Sequence, residues 1–324
     1  FRTIVNLKEG ISSWKLEMMH SSGAVEKVFA GEGVPEEKFS WDGINDSGEV
    51  REGSYLPRFT VVYEKGNRPE AESKNFILDV SPPDADISMN PKPFSPDNDG
   101  VDDELYINIS VSDMTGIQSW KLTIQDPKNN PFYEFSGKGE PADQIIWDGK
   151  SEDGELVLAA EDYPWIFTAE DYLGNEVVEN GTIPVDILVI REGDRLKIRI
   201  SNINFEPNSP NLVLDESKKG VKNQQVLERL AEILNKYSSY RIRIEGHAVR
   251  VYWYDEERGE REEKEELLPL SESRAERVKD ALVMQGVDPR RVSIKGLGGT
   301  EPIVPHSDVE NRWKNRRVEF ILVR

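Results

Sequence analysis

Leu270-Ser271-Glu272-Ser273-Arg274-Ala275-Glu276-Arg277-Val278-Lys279-Asp280-Ala281-Leu282 reads as the opening of an amphipathic helix. Ala275, Val278, Ala281 and Leu282 fall on one face at helical spacing. Ser271 and Ser273 are both suited to the N-cap, and Ser273 with Glu276 has capping-box spacing. A helix start is therefore expected at 271–273. Periodicity of this kind occurs in any soluble helix and carries no function by itself.

The flanks add information. Upstream lies a strand pattern ending in Gly-His, Tyr240-Arg241-Ile242-Arg243-Ile244-Glu245-Gly246-His247. Downstream come Arg291-Val292-Ser293-Ile294-Lys295-Gly296-Leu297-Gly298 and then Asn315-Arg316-Arg317-Val318. Strand-Gly-His, Leu-Ser-x-x-Arg-Ala, Gly-x-Gly and Asn-Arg-Arg-Val, in that order, resemble the OmpA C-terminal family of peptidoglycan-associating domains. Several motifs in one order are specific where any one is weak. The resemblance covers roughly the last third of the chain and implies an α/β sandwich that holds the peptide stem of peptidoglycan non-covalently. In that family an Asp two residues after the Gly-His pairs with the ammonium of diaminopimelate, and the Arg of Leu-Ser-x-x-Arg pairs with its carboxylate. A guanidinium fork suits a carboxylate well.

Arg274 stands at the Arg position. The resemblance also implies Phe205, His247, Ser271 and Arg316 as wall contacts. Three positions depart from the pattern: Val249 replaces the Asp, Ala248 the usual Thr before it, and Leu267 the usual Asn. The bound ammonium thus lacks its usual partner. An ordinary ion pair with Glu245, Glu272 or another local acid would use Arg274 equally well. Between Val249 and Leu270 the chain is longer than the family pattern. Val249–Tyr254 alternates like a strand extension, and the run Asp255–Glu266 is predominantly acidic. That run reads as a solvated hairpin or helix tip; the alternative is a site lip whose acid replaces the missing Asp.

At 324 residues the chain has room for two or three domains. A mean hydropathy of -0.61, with no long apolar run, leaves no expected transmembrane segment. The first residue is Phe1, so a signal peptide or anchor would not be visible. The net charge of -20 argues against nucleic acid as a partner, because phosphate binding needs a basic surface. Zero Cys excludes disulfides and thiol chemistry in this stretch.

The first two thirds contain a repeat. Gly10-Ile11-Ser12-Ser13-Trp14-Lys15-Leu16 returns as Gly116-Ile117-Gln118-Ser119-Trp120-Lys121-Leu122, and Trp41-Asp42-Gly43 returns as Trp147-Asp148-Gly149. Both offsets are 106 (120 − 14 and 147 − 41). Each copy has short runs rich in β-branched and aromatic residues between turn signals, which argues for β-sandwiches. The Trp-Asp-Gly-x-x-x-x-Gly-Glu hairpin and Asp171-Tyr172-Leu173-Gly174-Asn175 resemble the immunoglobulin-like module of the flagellar hook-cap family. On that resemblance Trp41 and Trp147 are core plugs; carbohydrate stacking is the alternative. The expected fold is therefore multidomain, two all-β immunoglobulin-like sandwiches followed by an α/β OmpA-like sandwich. The expected boundaries are 1–83 (truncated at its N-terminus), 84–193 and 194–324.

Phe94-Ser95-Pro96-Asp97-Asn98-Asp99-Gly100-Val101-Asp102-Asp103-Glu104 opens the second copy. Its acids alternate around a Gly, but the EF-hand spacing is imperfect. An Asx-rich turn is the preferred reading, without a tight Ca²⁺ site. His20, His247 and His306 lie apart with no metal spacing, and no Gly-x-Ser-x-Gly elbow occurs. No cofactor, metal or catalytic residue is expected. The whole describes a non-enzymatic structural protein of the periplasm or cell envelope of a diderm bacterium. Its wall-binding pocket is degenerate, so binding is weakened, altered or lost. The alternative is retained binding through Arg274 and the acidic insertion. Envelope proteins are further partners to expect.

Overall fold

The structure is a computed structural model and describes residues 1–201 and 203–324. The N-terminal region is β throughout. Strands β1 (Ile11–His20), β2 (Val25–Glu32), β3 (Gly53–Tyr63), β4 (Glu70–Glu72) and β5 (Phe76–Leu78) form one sheet in the order β2-β1-β3-β4, with β5 also on β3. The second copy holds β6 (Asp84–Asn90), β7 (Leu105–Ser112), β8 (Ile117–Gln125), β9 (Pro131–Lys138), β10 (Gln144–Trp147), β11 (Asp162–Asp171) and β12 (Glu176–Pro184). These make two antiparallel sheets, β10-β7-β6 and β12-β11-β8-β9. Period-2 alternation sets which face is buried: in β11, Tyr163, Trp165, Phe167 and Ala169 point inward and the residues between them outward.

The repeat is visible in the details. Trp14 faces Gly31 across β1–β2, and Trp120 faces Gly137 across β8–β9, both 106 residues on. A Cβ on either glycine would come within 2.7 or 2.8 Å of the indole opposite, so each ring lies flat over a bare backbone. Trp41 and Trp147 close the next turn in the same way, Nε1 donating to the carbonyls of Ile44 and Lys150 at 2.7 and 2.9 Å. Trp147 is 2 % exposed and packs on Phe94, Phe132 and Tyr133; it is a core residue and not a sugar platform. Trp147→Ala should cost about 3–5 kcal/mol. A melting curve unchanged by that substitution would contradict its place in the core.

The Asp-rich loop holds several backbone amides with its carboxylates. Asp103 accepts from the amides of Asn98 (2.5 Å) and Gly100 (2.7 Å), Asp99 from Val101, and Asp97 from Val189. Asn98 and Asp102 take up positive φ, which their short polar side chains tolerate.

The C-terminal sheet runs β13 (Ile190–Glu192), β14 (Arg195–Ile200), β17 (Val318–Val323), β15 (Arg241–Gly246), β16 (Val292–Gly296), and only β15 and β16 are parallel. The sheet takes in Ile190–Glu192, across the boundary expected at 193. Helix α1 (Lys218–Lys236) is capped by Ser217 and buries Val226, Leu227, Leu230, Ile233 and Leu234, which recur at helical spacing on one face. Two expectations fail. Val249–Tyr254 is not a strand: the amides of Arg250, Val251 and Tyr252 are taken by the side chains of His306 and Glu262. Nor does a helix begin at Ser271. Helix α2 (Glu256–Glu262), capped by Asp255, passes through a π turn at Glu263–Leu267 into α3 (Leu268–Met284). Pro269 explains the π turn. It has no N–H to offer the Glu265 carbonyl four residues back and its ring crowds that carbonyl; just before it the Leu268 amide reaches Glu263 O, five residues back.

Two apolar clusters result. Leu16, Met18, Phe39 and Tyr55 form a separate one in the first copy. The other runs without interruption from the second copy into the C-terminal sheet and helices. That second junction is also ionic: Arg229 pairs with Asp186 at 2.7 Å and Lys222 with Glu161 at 3.1 Å.

Candidate functional site

Two glycines position the site. Gly246 ends β15 and is the register partner of Gly296 in β16. A Cβ at Gly246 would lie 2.1 Å from the Ser271 carbonyl oxygen, and one at Gly296 2.7 Å from that of Leu268. The backbone of α3 therefore rests directly on the strand ends. This is the physical content of the Gly-His and Gly-x-Gly motifs. Ser271, buried against the strands, donates to Leu268 O and accepts from the Gly298 amide, so it pins a loop and caps no helix. The helix does not begin here, so the backbone amides beside Arg274 are not those of a free helix N-terminus.

A cleft of about 930 Å³ opens between α3, the loop after β15, residues 201 and 203–208, and residues 312–318. Arg274 enters it from α3. Its guanidinium lies over the Phe205 ring at 4.8 Å, and Nε donates to Ser209 O at 3.2 Å. It makes no ion pair among the described residues: Glu245 pairs with Arg243 instead. Burial, and then the nearby charge of Arg316, lower the Arg274 pKa, but a guanidinium stays charged at any working pH. Arg274 is thus a cation without an ion-pair partner among the described residues, held over an aromatic ring.

Ala248, Val249 and Leu267 line the same cleft and are nearly fully buried. Val249 offers the cleft only methyl groups. Arg316 is exposed at the rim. Arg312, Trp313, Glu262 and Glu266 also line the cleft and were not singled out by sequence pattern. Nothing in the acidic run distinguishes Glu262 from its neighbours. What sets it apart is the loop it holds: its carboxylate accepts from the amides of Val251 and Tyr252 at 3.0 Å. Glu263 holds the Gly299 amide and pairs with Arg250 at 3.1 Å. Both are buried, so this part of the run is structural and not a solvated tip. Glu266 is the exposed acid on the cleft wall.

His247 is 3 % exposed, and neither ring nitrogen has a hydrogen-bond partner among the described residues. Burial first, then Arg317, bring its pKa down to about 4, so the ring is neutral. Beside it Glu319 Oε2 lies 3.7 Å away. Burial alone would raise the Glu319 pKa, but Arg317 and hydrogen bonds from Lys197, Arg317 and Arg199 bring it down to about 2. This buried cluster supports the cleft floor. A smaller cleft, about 440 Å³, lies over Asp186 and Arg229, whose charges already neutralise each other.

Residues 204–316 match the sequence profile of the OmpA family, and this part of the chain is an OmpA domain. Over 138 residues the chain is 31% identical to the probable lipoprotein YiaD of Escherichia coli, covering 42% of this chain and 55% of that one. It is 35% identical over 99 residues to the peptidoglycan-associated lipoprotein of Agrobacterium fabrum, covering 31% of this chain and 50% of that one. The chain thus spans about half the length of these curated relatives. The periplasmic domain of Helicobacter pylori MotB (residues 90–256) is similar at 25% identity and a TM-score of 0.33, covering 42% of this chain and 77% of that one. No helix among the described residues is long and apolar enough to cross a membrane.

Proposed function

We propose that this chain is a non-enzymatic structural protein of the cell envelope, facing the periplasm of a diderm bacterium. Two immunoglobulin-like β-sandwiches, 1–83 and 84–193, act as a spacer. The α/β OmpA-like domain, 194–324, contacts the peptide stem of peptidoglycan with a retuned pocket. The observation that carries this is Arg274, a guanidinium without an ion-pair partner among the described residues, held over Phe205 inside the cleft. With Nε occupied by Ser209, the outer edge of the fork is left for a carboxylate, and little side-chain entropy remains to be lost on binding. The names of the relatives, a peptidoglycan-associated lipoprotein among them, support the same ligand class.

The ammonium end of a stem peptide finds no acid at Val249. Wall binding is therefore weak unless Glu266, on the same cleft wall, supplies the anion. Glu262 is less available, being committed to two loop amides. The test is calorimetry with a diaminopimelate-containing stem peptide, together with co-sedimentation on purified sacculi. Arg274→Ala should abolish whatever binding exists. Val249→Asp should tighten it more than tenfold, since a desolvated charge pair contributes about 2–5 kcal/mol. If the wild type binds tightly and Glu266→Gln weakens it, the inserted acid is the ammonium partner. No binding by wild type or Val249→Asp would favour a protein-interaction scaffold.

A further inference from the structure

The first and second β regions meet at a polar junction with no shared apolar core, since their buried clusters are separate. Three carboxylates converge there. Asp79 follows β5, Asp113 sits in the β7–β8 turn, and Asp171 ends β11. One oxygen from each lies within 4.8 Å of the others. At that limit the common centre of three oxygens lies about 2.8 Å from each, so a closure of a few tenths of an ångström brings all three to a Ca²⁺–oxygen distance of about 2.4 Å.

The second observation is Asp79 itself. It is 7 % exposed, and its Oδ2 has no hydrogen-bond partner among the described residues. Burial first, then Asp113, Glu52 and Asp171, raise its pKa. No Lys or Arg pairs with any of the three acids among the described residues. An uncompensated carboxylate in such a place is costly unless a cation joins it. The other two acids are held firmly. Asp171 accepts from the amides of Leu173 and Asn175 and from Asn175 Nδ2, and Asp113 from the amide and hydroxyl of Thr115.

The repeat provides an internal comparison. Tyr55 faces Phe76 as Tyr163 faces Ile183, so Asp186 is the counterpart of Asp79, 107 residues on (183 − 76 and 186 − 79). At the second junction Asp186 has its cation: Arg229 holds both carboxylate oxygens at 2.7 and 3.1 Å. At the first junction the chain supplies none. Nor is the acidic cluster a general feature of this fold. The counterparts of Asp113 and Asp171 in the first copy are Leu7 (113 − 106) and Tyr63, which close the same turn by a 2.7 Å hydrogen bond from the Tyr63 hydroxyl to Leu7 O. Tyr63 and Asp171 match because their amides bond Asn67 O and Asn175 O in the same way.

We infer that Asp79, Asp113 and Asp171 form a Ca²⁺ site that ties the first β region to the second. An all-oxygen donor set selects a hard cation, and donor oxygens up to 4.8 Å apart suit the longer Ca²⁺–oxygen distance better than the compact octahedron of Mg²⁺. The expected Kd is that of extracellular calcium modules, about 10⁻⁴–10⁻³ M.

The test uses the full chain stripped with a chelator, then titrated with CaCl₂ by calorimetry and followed in a thermal melt. Wild type should bind, and its melting temperature should rise by a few degrees at about 10 mM Ca²⁺, with Mg²⁺ acting more weakly. Asp79→Asn removes the buried like charge. It should melt higher than wild type in chelator and lose the Ca²⁺ response. Asp113→Asn, in a half-exposed turn, should fold normally and also lose the response. Asp99→Asn, in the separate acidic loop, should keep it. The inference is overturned if wild type shows neither heat nor shift at that concentration. It is equally overturned if the response survives Asp79→Asn and Asp113→Asn, or disappears in Asp99→Asn alone.

Discussion

Gly246→Ala is expected to unfold the C-terminal domain while leaving the first β region, whose core is separate, folded. The new Cβ would sit 2.1 Å from the carbonyl oxygen of Ser271. That atom is backbone, held within α3, and cannot swing aside as a side chain does. Relief requires the whole helix to rise by roughly 1 Å or more before ordinary contact distance is restored. Overpacking against side chains costs about 1–3 kcal/mol, and displacing a helix from its sheet costs more. The total stability of a domain is only about 5–15 kcal/mol. Lifting α3 also exposes Ala275, Val278 and Leu282, all fully buried, and carries Arg274 away from Phe205. Circular dichroism gives a direct readout, because every α-helix among the described residues lies after residue 217. Loss of the helical signal with a retained β spectrum is the expected result. An unchanged helical melt would show that α3 does not rest on β15 at this point.

These glycines were legible in the sequence because a backbone-on-backbone contact admits only one residue type, and it leaves a fixed motif. The α1 stripe was legible because burial on one face needs a regular period. Other parts were not. Ser271 and Ser273 look like caps, yet the helix has already run for four turns when it reaches them. Whether a Ser caps depends on whether the chain before it is helical, and the Glu-Arg-Lys run before it is read equally well as a solvated tip. Glu262 and Glu263 are chemically identical to the acids around them; only the loop amides they meet make them structural. The strand expected at Val249–Tyr254 alternates correctly, but its amides are spent on Glu262 and other loop partners and not on a neighbouring strand. Asp79, Asp113 and Asp171 are far apart in the chain, and nothing local relates them.

Acidification should weaken the C-terminal domain in two stages, and His247 should account for the first. In the folded state burial and Arg317 hold the His247 pKa at about 4, against 6.5 for the free side chain. Between those values the unfolded chain binds a proton that the folded chain does not. Stability therefore rises with pH across this window and falls as pH drops from about 6.5 to 4. A shift of this size corresponds to about 3 kcal/mol, with little solvent screening because the ring is almost fully buried. Glu319 acts lower down. Burial opposes its ionisation, but Arg317, Lys197 and Arg199 keep it ionised to about pH 2, so its contribution is present above 4.5 and lost as pH falls toward 2. His247→Leu separates the two. Both ring nitrogens lack partners, so an apolar side chain of similar size should cost little at neutral pH. Urea titrations of the full chain at stepped pH, with the C-terminal transition followed by amide exchange in β15 and β17, give the profile. The variant should be flat from pH 6.5 to about 4 relative to wild type and then fall as wild type does. If the two proteins show the same slope above pH 4, His247 is not held neutral in the folded chain. The Arg317–Glu319 pair would then have to carry the acid sensitivity alone.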